Sequence, residues 1–139
     1  MILLDTNVLS YAVGEEHALR AACRRVLEAH LNGDFQAVTT VEVIREFAHV
    51  RSRRRRRDDA VELARQYAEL IPLVTTDSRD LSLGLSLFAA HQRIGAFDAV
   101  LAAVALNRQL EGVVSTDRAF GDVPGLHWID PASLPTRLS

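Results

Sequence analysis

A chain of 139 residues, 48% of them hydrophobic, is long enough to bury one core and short enough to form one domain over residues 1–139, and nothing in its make-up suggests disorder. The net charge of −2 hides a bias: all 16 basic side chains are arginine, and the lack of lysine excludes a P-loop, Schiff-base chemistry and receiver-type phosphorylation. The single cysteine, Cys23, excludes an internal disulfide or a thiolate metal cluster, and among Ala21, Ala22 and Val26 it reads as a small buried hydrophobe.

Met1-Ile2-Leu3-Leu4 reads as a short buried strand, and Asp5 follows it too closely for a signal peptide. Residues 8–13 read as a brief helical turn before Gly14. Apolar positions at Leu19, Ala22, Val26, Leu27 and Leu31 predict a helix over 17–31, stopped by Asn32-Gly33. A second strand is predicted over 35–39, followed by Thr40 as the N-cap of a helix with Val43, Ile44, Phe47 and Val50 as its inner stripe. Beyond an arginine-rich run, 58–70 is amphipathic through Val61, Leu63, Ala64, Tyr67 and Ala68, and Pro72 marks 71–74 as an edge strand. Asp77 or Ser78 caps a helix carrying Leu81, Leu85, Leu87 and Phe88, which stops near Gly95. The Asp98 helix, a strand over 112–115, a turn at Phe120-Gly121 and a strand over 127–129 complete the chain, with Trp128 expected under the last helix. Strands alternating with helices imply an α/β fold whose mostly parallel sheet is covered on both faces. No apolar stretch reaches the roughly 18 residues of a membrane span, so a soluble cytoplasmic protein is expected.

Acidic residues stand wherever a strand or loop hands over to a helix: Asp5, the pair Glu42 and Glu46, Asp98 and Asp117. Taken singly each reads as a helix cap or a first-turn acid complementing the helix dipole. Taken together they can converge, because the crevice beyond the carboxyl ends of parallel strands collects residues distant in sequence. Two carboxylates about 5 Å apart repel by roughly 3 kcal/mol at an effective dielectric near 20, so a cluster is expected to bind metal or take up protons. Oxygen-only ligands favour Mg²⁺ or Mn²⁺. Glu42 and Glu46, four apart on one helix, can both face the same side. The run Arg51, Arg53, Arg54, Arg55, Arg56 and Arg57 has three readings: a solvated charge block, a guide for RNA phosphates, or a protein contact. His17, His30, His49, His91 and His127 show no zinc-ligand spacing, and Ser10 and Ser115 lack a nucleophile elbow.

Asp5-Thr6-Asn7 after the first strand, the segment from Thr39 to Phe47, Phe97-Asp98-Ala99 and Ser115-Thr116-Asp117 resemble, in order and spacing, the successive motifs of the PIN domain. Nearly the whole chain is similar to the VapC family, ribonuclease toxins of type II toxin–antitoxin pairs. The resemblance implies a three-layer α/β/α fold and one or two Mg²⁺ or Mn²⁺ ions held by Asp5, Glu46, Asp98 and Asp117, with Thr6, Asn7 and Ser115 in support. Glu46 is chosen because the family's acid lies six residues after a small hydroxyl residue and before an apolar one, as from Thr40 to Glu46-Phe47; Glu42 is the alternative. The same resemblance implies endonucleolytic cleavage of structured RNA such as tRNA or rRNA, a VapB-type antitoxin partner and a homodimer. A PIN-like module that binds RNA or protein without cutting is the rival reading, and a phosphatase or nucleotide-binding domain lacks its phosphate loop.

Overall fold

The chain in a computed structural model, described over residues 1–134, is organised by a central strand, β1 (Ile2–Leu4), that is buried along its whole length. It pairs in parallel with β2 (Ala37–Thr40) on one side and β4 (Val113–Val114) on the other, with Leu3 opposite both Val38 and Val113. The edges are β3 (Leu73–Val74) beside β2 and β5 (Trp128–Ile129) beside β4, so the order is β3-β2-β1-β4-β5 and all pairs are parallel. Pro72 accordingly lies next to an edge strand, where its missing N–H costs no ladder bond.

Among the described residues six α-helices connect the strands: α1 (Thr6–Val13), α2 (Arg20–Leu31), α3 (Val41–Ser52), α4 (Arg57–Leu70), α5 (Ser78–Ala90) and α6 (Ala96–Asn107). They pack as two sets, α1 with α2 and α3 and then α3 with α4, and separately α5 with α6. Right-handed crossovers put connections that run toward β3 on one face and the return to β4 on the other. The result is a three-layer α/β/α arrangement. The direction of winding reverses between β1 and β4, and a switch point of this kind opens a crevice at the strand ends.

Several boundaries differ from expectation for local reasons. Asp5 accepts a hydrogen bond from the Thr6 backbone N–H and starts α1 two residues earlier than predicted. His17 closes a turn, its carbonyl accepting from Arg20 N and its ring Nδ1 accepting from Leu19 N, so α2 begins only at Arg20. Gly95 caps α6 and leaves Asp98 inside that helix's first turn. Cys23 is fully buried, and burial followed by the charge of Asp130 pushes its thiol up to about 11, consistent with a packing role. Trp128 is half-buried, and its indole N–H donates to the Ser115 carbonyl.

Two devices fix α5 against α6. Asp80 is fully buried and accepts from Asp77 N at 2.8 Å, Asn107 Nδ2 at 2.9 Å and Arg108 Nη1 at 2.9 Å, while Arg108 also donates to the Thr75 carbonyl. Burial alone would raise its proton affinity, but hydrogen bonds from Arg108, Asp77 and Asn107 outweigh it and hold the carboxyl at about 2. Gly84 is the second device: a Cβ there would stand 2.7 Å from the Val100 Cα. Overpacking of this kind costs about 1–3 kcal/mol, and urea unfolding of Gly84→Ala is expected to show a loss in that range. An unchanged midpoint would mean that the two helices are free to separate.

Candidate active site

Asp5, directly after β1, and Ser115, directly after β4, meet at the switch point. The Ser115 hydroxyl donates to Asp5 Oδ2 at 2.8 Å and accepts from Asn7 Nδ2 at 3.1 Å and from Asp117 N at 3.0 Å. One donor and two acceptors exhaust what a serine hydroxyl offers. Asn7 ties the same two loops together, donating also to Asp5 Oδ2 at 3.1 Å and accepting from Thr116 N at 3.1 Å. The remaining Asp5 oxygen accepts from Thr6 N at 2.7 Å. Asp5-Thr6-Asn7 and Ser115-Thr116-Asp117 are thus one interlocked unit, although 110 residues separate Asp5 from Ser115.

Glu46 reaches this unit from α3, its Oε2 accepting from Thr6 Oγ1 at 2.9 Å. Thr40, at the end of β2, caps α3 by accepting from Val43 N, and Thr39 anchors the strand end by donating to the Leu4 carbonyl. Asp98 faces the same groove from α6, and no donor among the described residues bonds its carboxylate. Asp117 is exposed at the start of a 3₁₀ turn (Arg118–Asp122), accepting from Ala119 N at 2.9 Å.

The electrostatics show that the four carboxylates share one field. Burial pushes Asp5 up to about 6 against the pull of its bonds from Ser115 and Thr6, and the charges of Glu46 and Asp117 add to the rise. Asp98 rises to about 7, first through burial and then through Asp5, Asp117 and Glu46 in that order. Glu42 plays no part in either shift. It lines a separate, mainly apolar hollow of about 280 Å³ with Leu81, Leu85, Phe97 and Val100.

The groove has a volume of about 450 Å³ and runs from Asp5, Glu46 and Asp98 past Asn7 and Ser10 to Tyr11, His17, Val50 and Arg54. Of the arginine run, Arg54 lines it. Arg51, grouped with the RNA-contacting arginines from the sequence, is largely buried instead, donating to Asp59 Oδ2 at 2.9 Å and to the Val13 carbonyl at 2.9 Å. Arg55 pairs with Glu15 at 3.7 Å and Arg56 with Asp58 at 3.3 Å. Arg53, Arg54 and Arg57 are exposed, with no side-chain hydrogen bond or ion pair among the described residues. Sequence reasoning missed Tyr11 and the rest of the groove wall, yet a signal existed. With α1 starting at Thr6, Ser10 and Tyr11 lie one turn beyond Thr6 and Asn7 on the same face.

The donor chemistry suits a hard divalent cation: every candidate ligand is a carboxylate oxygen, and two of them hold protons more tightly than usual, through burial first and the charge of the other carboxylates second. Among the described residues no three carboxylate, imidazole or thiol groups already enclose an ion-sized space.

The PIN domain family matches residues 2–126. Ribonuclease VapC7 of Mycobacterium tuberculosis is 42% identical, covering 94% of this chain and 92% of its own length, and Ribonuclease VapC13 of the same species is 32% identical, covering 91% and 97%. The chain belongs to the PIN domain family and, within it, to the VapC group. Solved structures agree on the fold. Mycobacterium tuberculosis VapC20, a sarcin-ricin loop cleaving toxin, superposes with a TM-score of 0.75 at 15% identity, covering 91% of this chain and 97% of that one. VapBC2 of Rickettsia felis, bound to a promoter DNA fragment, gives 0.74 at 16% identity, covering 93% and 98%.

Proposed function

We propose that this protein is a divalent-metal-dependent endoribonuclease, the toxin of a type II toxin–antitoxin pair, that hydrolyses phosphodiester bonds of structured RNA such as tRNA or rRNA in the cytoplasm. The observation that carries the reading is a groove with uncompensated negative charge, in which the proton affinities of Asp5 and Asp98 are raised by burial and by the other carboxylates. A site of this kind calls for a cation, and one or two Mg²⁺ or Mn²⁺ ions match the ligand type. Asp5, Glu46, Asp98 and Asp117 would hold it. Such an ion supplies Lewis acidity toward the scissile phosphate and the attacking water, and it reverses the local charge that would otherwise repel RNA.

The chain's own residues do the positioning. Ser115 and Asn7 fix Asp5 in one orientation, and Thr6 serves both acids, its N–H on Asp5 and its hydroxyl on Glu46. Asp98 projects from the positive end of α6, where the helix dipole favours its charged form. Membership of the VapC group supports a VapB-type antitoxin as partner and a homodimer as the working assembly. The direct test is to incubate purified protein with total RNA in Mg²⁺ or EDTA and sequence the new 5′ ends. Metal-dependent cuts bearing 5′-phosphates support the reading. RNA that is bound but never cut, even with Mg²⁺ present, would leave a binding module.

Phosphate guidance falls to the free arginines. Changing Arg53, Arg54 and Arg57 to Gln together is expected to weaken RNA binding and reduce the slope of log K against log salt by about 2. Filter binding across a salt series in EDTA measures this, and an unaltered slope removes these arginines from the interface.

A further inference from the structure

The groove does not end at the carboxylates. Its lining continues through Tyr11 and His17, whose rings stand 4.7 Å apart at 34°, and through Gly14, Val50 and Arg54. None of these residues belongs to the motif positions that gather Asp5, Glu46, Asp98 and Asp117. Two further glutamates, Glu15 and Glu16, also line this end, and Glu15 is the acid that Arg55 approaches at 3.7 Å. The Ser10 hydroxyl, in the wall one helical turn from Thr6, is buried and has no hydrogen-bond partner among the described residues. A buried polar group left unmet is costly, and a hydroxyl can rotate to meet a polar edge that enters the groove.

These features select among the parts of a nucleotide. A phosphate is a poor occupant of a wall with two glutamates, which Arg54 faces as the one lining arginine among the described residues. A nucleobase suits it better. Aromatic rings present a π-face on which a base stacks, and carboxylates accept from exocyclic amino groups. The whole groove, about 450 Å³, falls in the roughly 300–1,000 Å³ range of small-ligand sites.

We infer that the Tyr11–His17 wall is a nucleobase subsite that holds an unstacked, amino-bearing base of the substrate beside the cleavage position and so sets base preference. This rests on the ribonuclease reading for its biological sense but not for its test. The experiment is titration of the intact protein in EDTA with guanosine, adenosine, cytidine and uridine, following the ring protons of Tyr11 and His17 by NMR. Nucleosides carry no phosphate and no cleavable bond, so the result is independent of metal and catalysis. The expected result is a saturable shift at both rings, stronger for the three amino-bearing nucleosides than for uridine. A loss of affinity of about tenfold in His17→Ala is expected. His17 is exposed, so this change spares the core, and Tyr11→Leu, which keeps an apolar body against the core, gives a second reading.

No saturable shift at these rings up to the solubility of each nucleoside overturns the subsite, as does equal binding by the wild type and both variants. Saturable binding without metal-dependent cleavage of RNA would uphold the subsite and remove the nuclease instead. Where cleavage does occur, 5′-end sequencing on a randomised RNA pool should show a base bias at one fixed position from the cut. That bias should flatten in His17→Ala.

Discussion

Asp98→Asn is expected to remove metal-dependent RNA cleavage, with a loss of at least about 10²-fold in single-turnover rate, while the protein remains folded. The choice of this residue follows from its bonding. Asp5 accepts from Ser115, Asn7 and Thr6 on two oxygens, so an amide there would turn one NH₂ group against donors and disturb the unit that also orients Asp117. Asp98 has no such bonds, and its substitution removes charge alone. Asp5→Asn should lose cleavage too, but its result mixes chemistry with local disorder of the hub. Glu46→Gln and Glu42→Gln form the companion pair. Glu46 shares Thr6 with Asp5, whereas Glu42 lies in the apolar hollow beside Phe97, so cleavage should fall in the first and persist in the second. Circular dichroism on each variant checks the fold. Full cleavage by Asp98→Asn would remove this carboxylate from the chemistry.

The contrast between Glu42 and Glu46 also shows how far sequence reaches. Four residues along a helix advance by one turn and a little more, so periodicity puts both glutamates on one side of α3. Which of them meets β1 depends on how α3 leans against its neighbours, and that is set by packing far away in the chain. Asp5, by contrast, was legible because an apolar central strand leaves its terminal residue no other place than the crevice. Its neighbours Thr6 and Asn7 followed from the family motif, but the bonds they make did not. Asp80, in the first turn of α5, carries no sequence signal of its role. Its partner Arg108 lies 28 residues on, and no local pattern joins the two. The arginine run was legible as charge and illegible as roles, since Arg51 turns inward to Asp59 and the Val13 carbonyl while its neighbours face solvent.

The metal-free protein should become more stable as pH falls from 8 to about 5. Asp5 and Asp98 have folded-state values of about 6 and 7, above the usual 3.8. Folding therefore disfavours their ionised forms, and the penalty is complete above the folded-state values. It is relieved as protons bind on descent through them, and little remains near the unfolded value. Because the two acids are coupled and Asp98 is partly solvated, the combined gain is on the order of 2–4 kcal/mol rather than the sum of separate shifts. Asp80 acts in the opposite sense: held at about 2, it contributes stability above its unfolded value that is lost as pH falls further. A maximum near pH 5 is the expected outcome in EDTA. Saturating Mg²⁺ or Mn²⁺ should flatten the slope between pH 6 and 8, since the ion replaces the protons. Asp98→Asn should raise the unfolding midpoint at pH 7.5 in EDTA and lose much of the pH dependence, which assigns the slope to this carboxylate rather than to histidines. Urea unfolding across pH, with and without metal, measures all of this. A wild-type midpoint that stays level or drops between pH 8 and 5 would mean that the carboxylates do not share a desolvated groove.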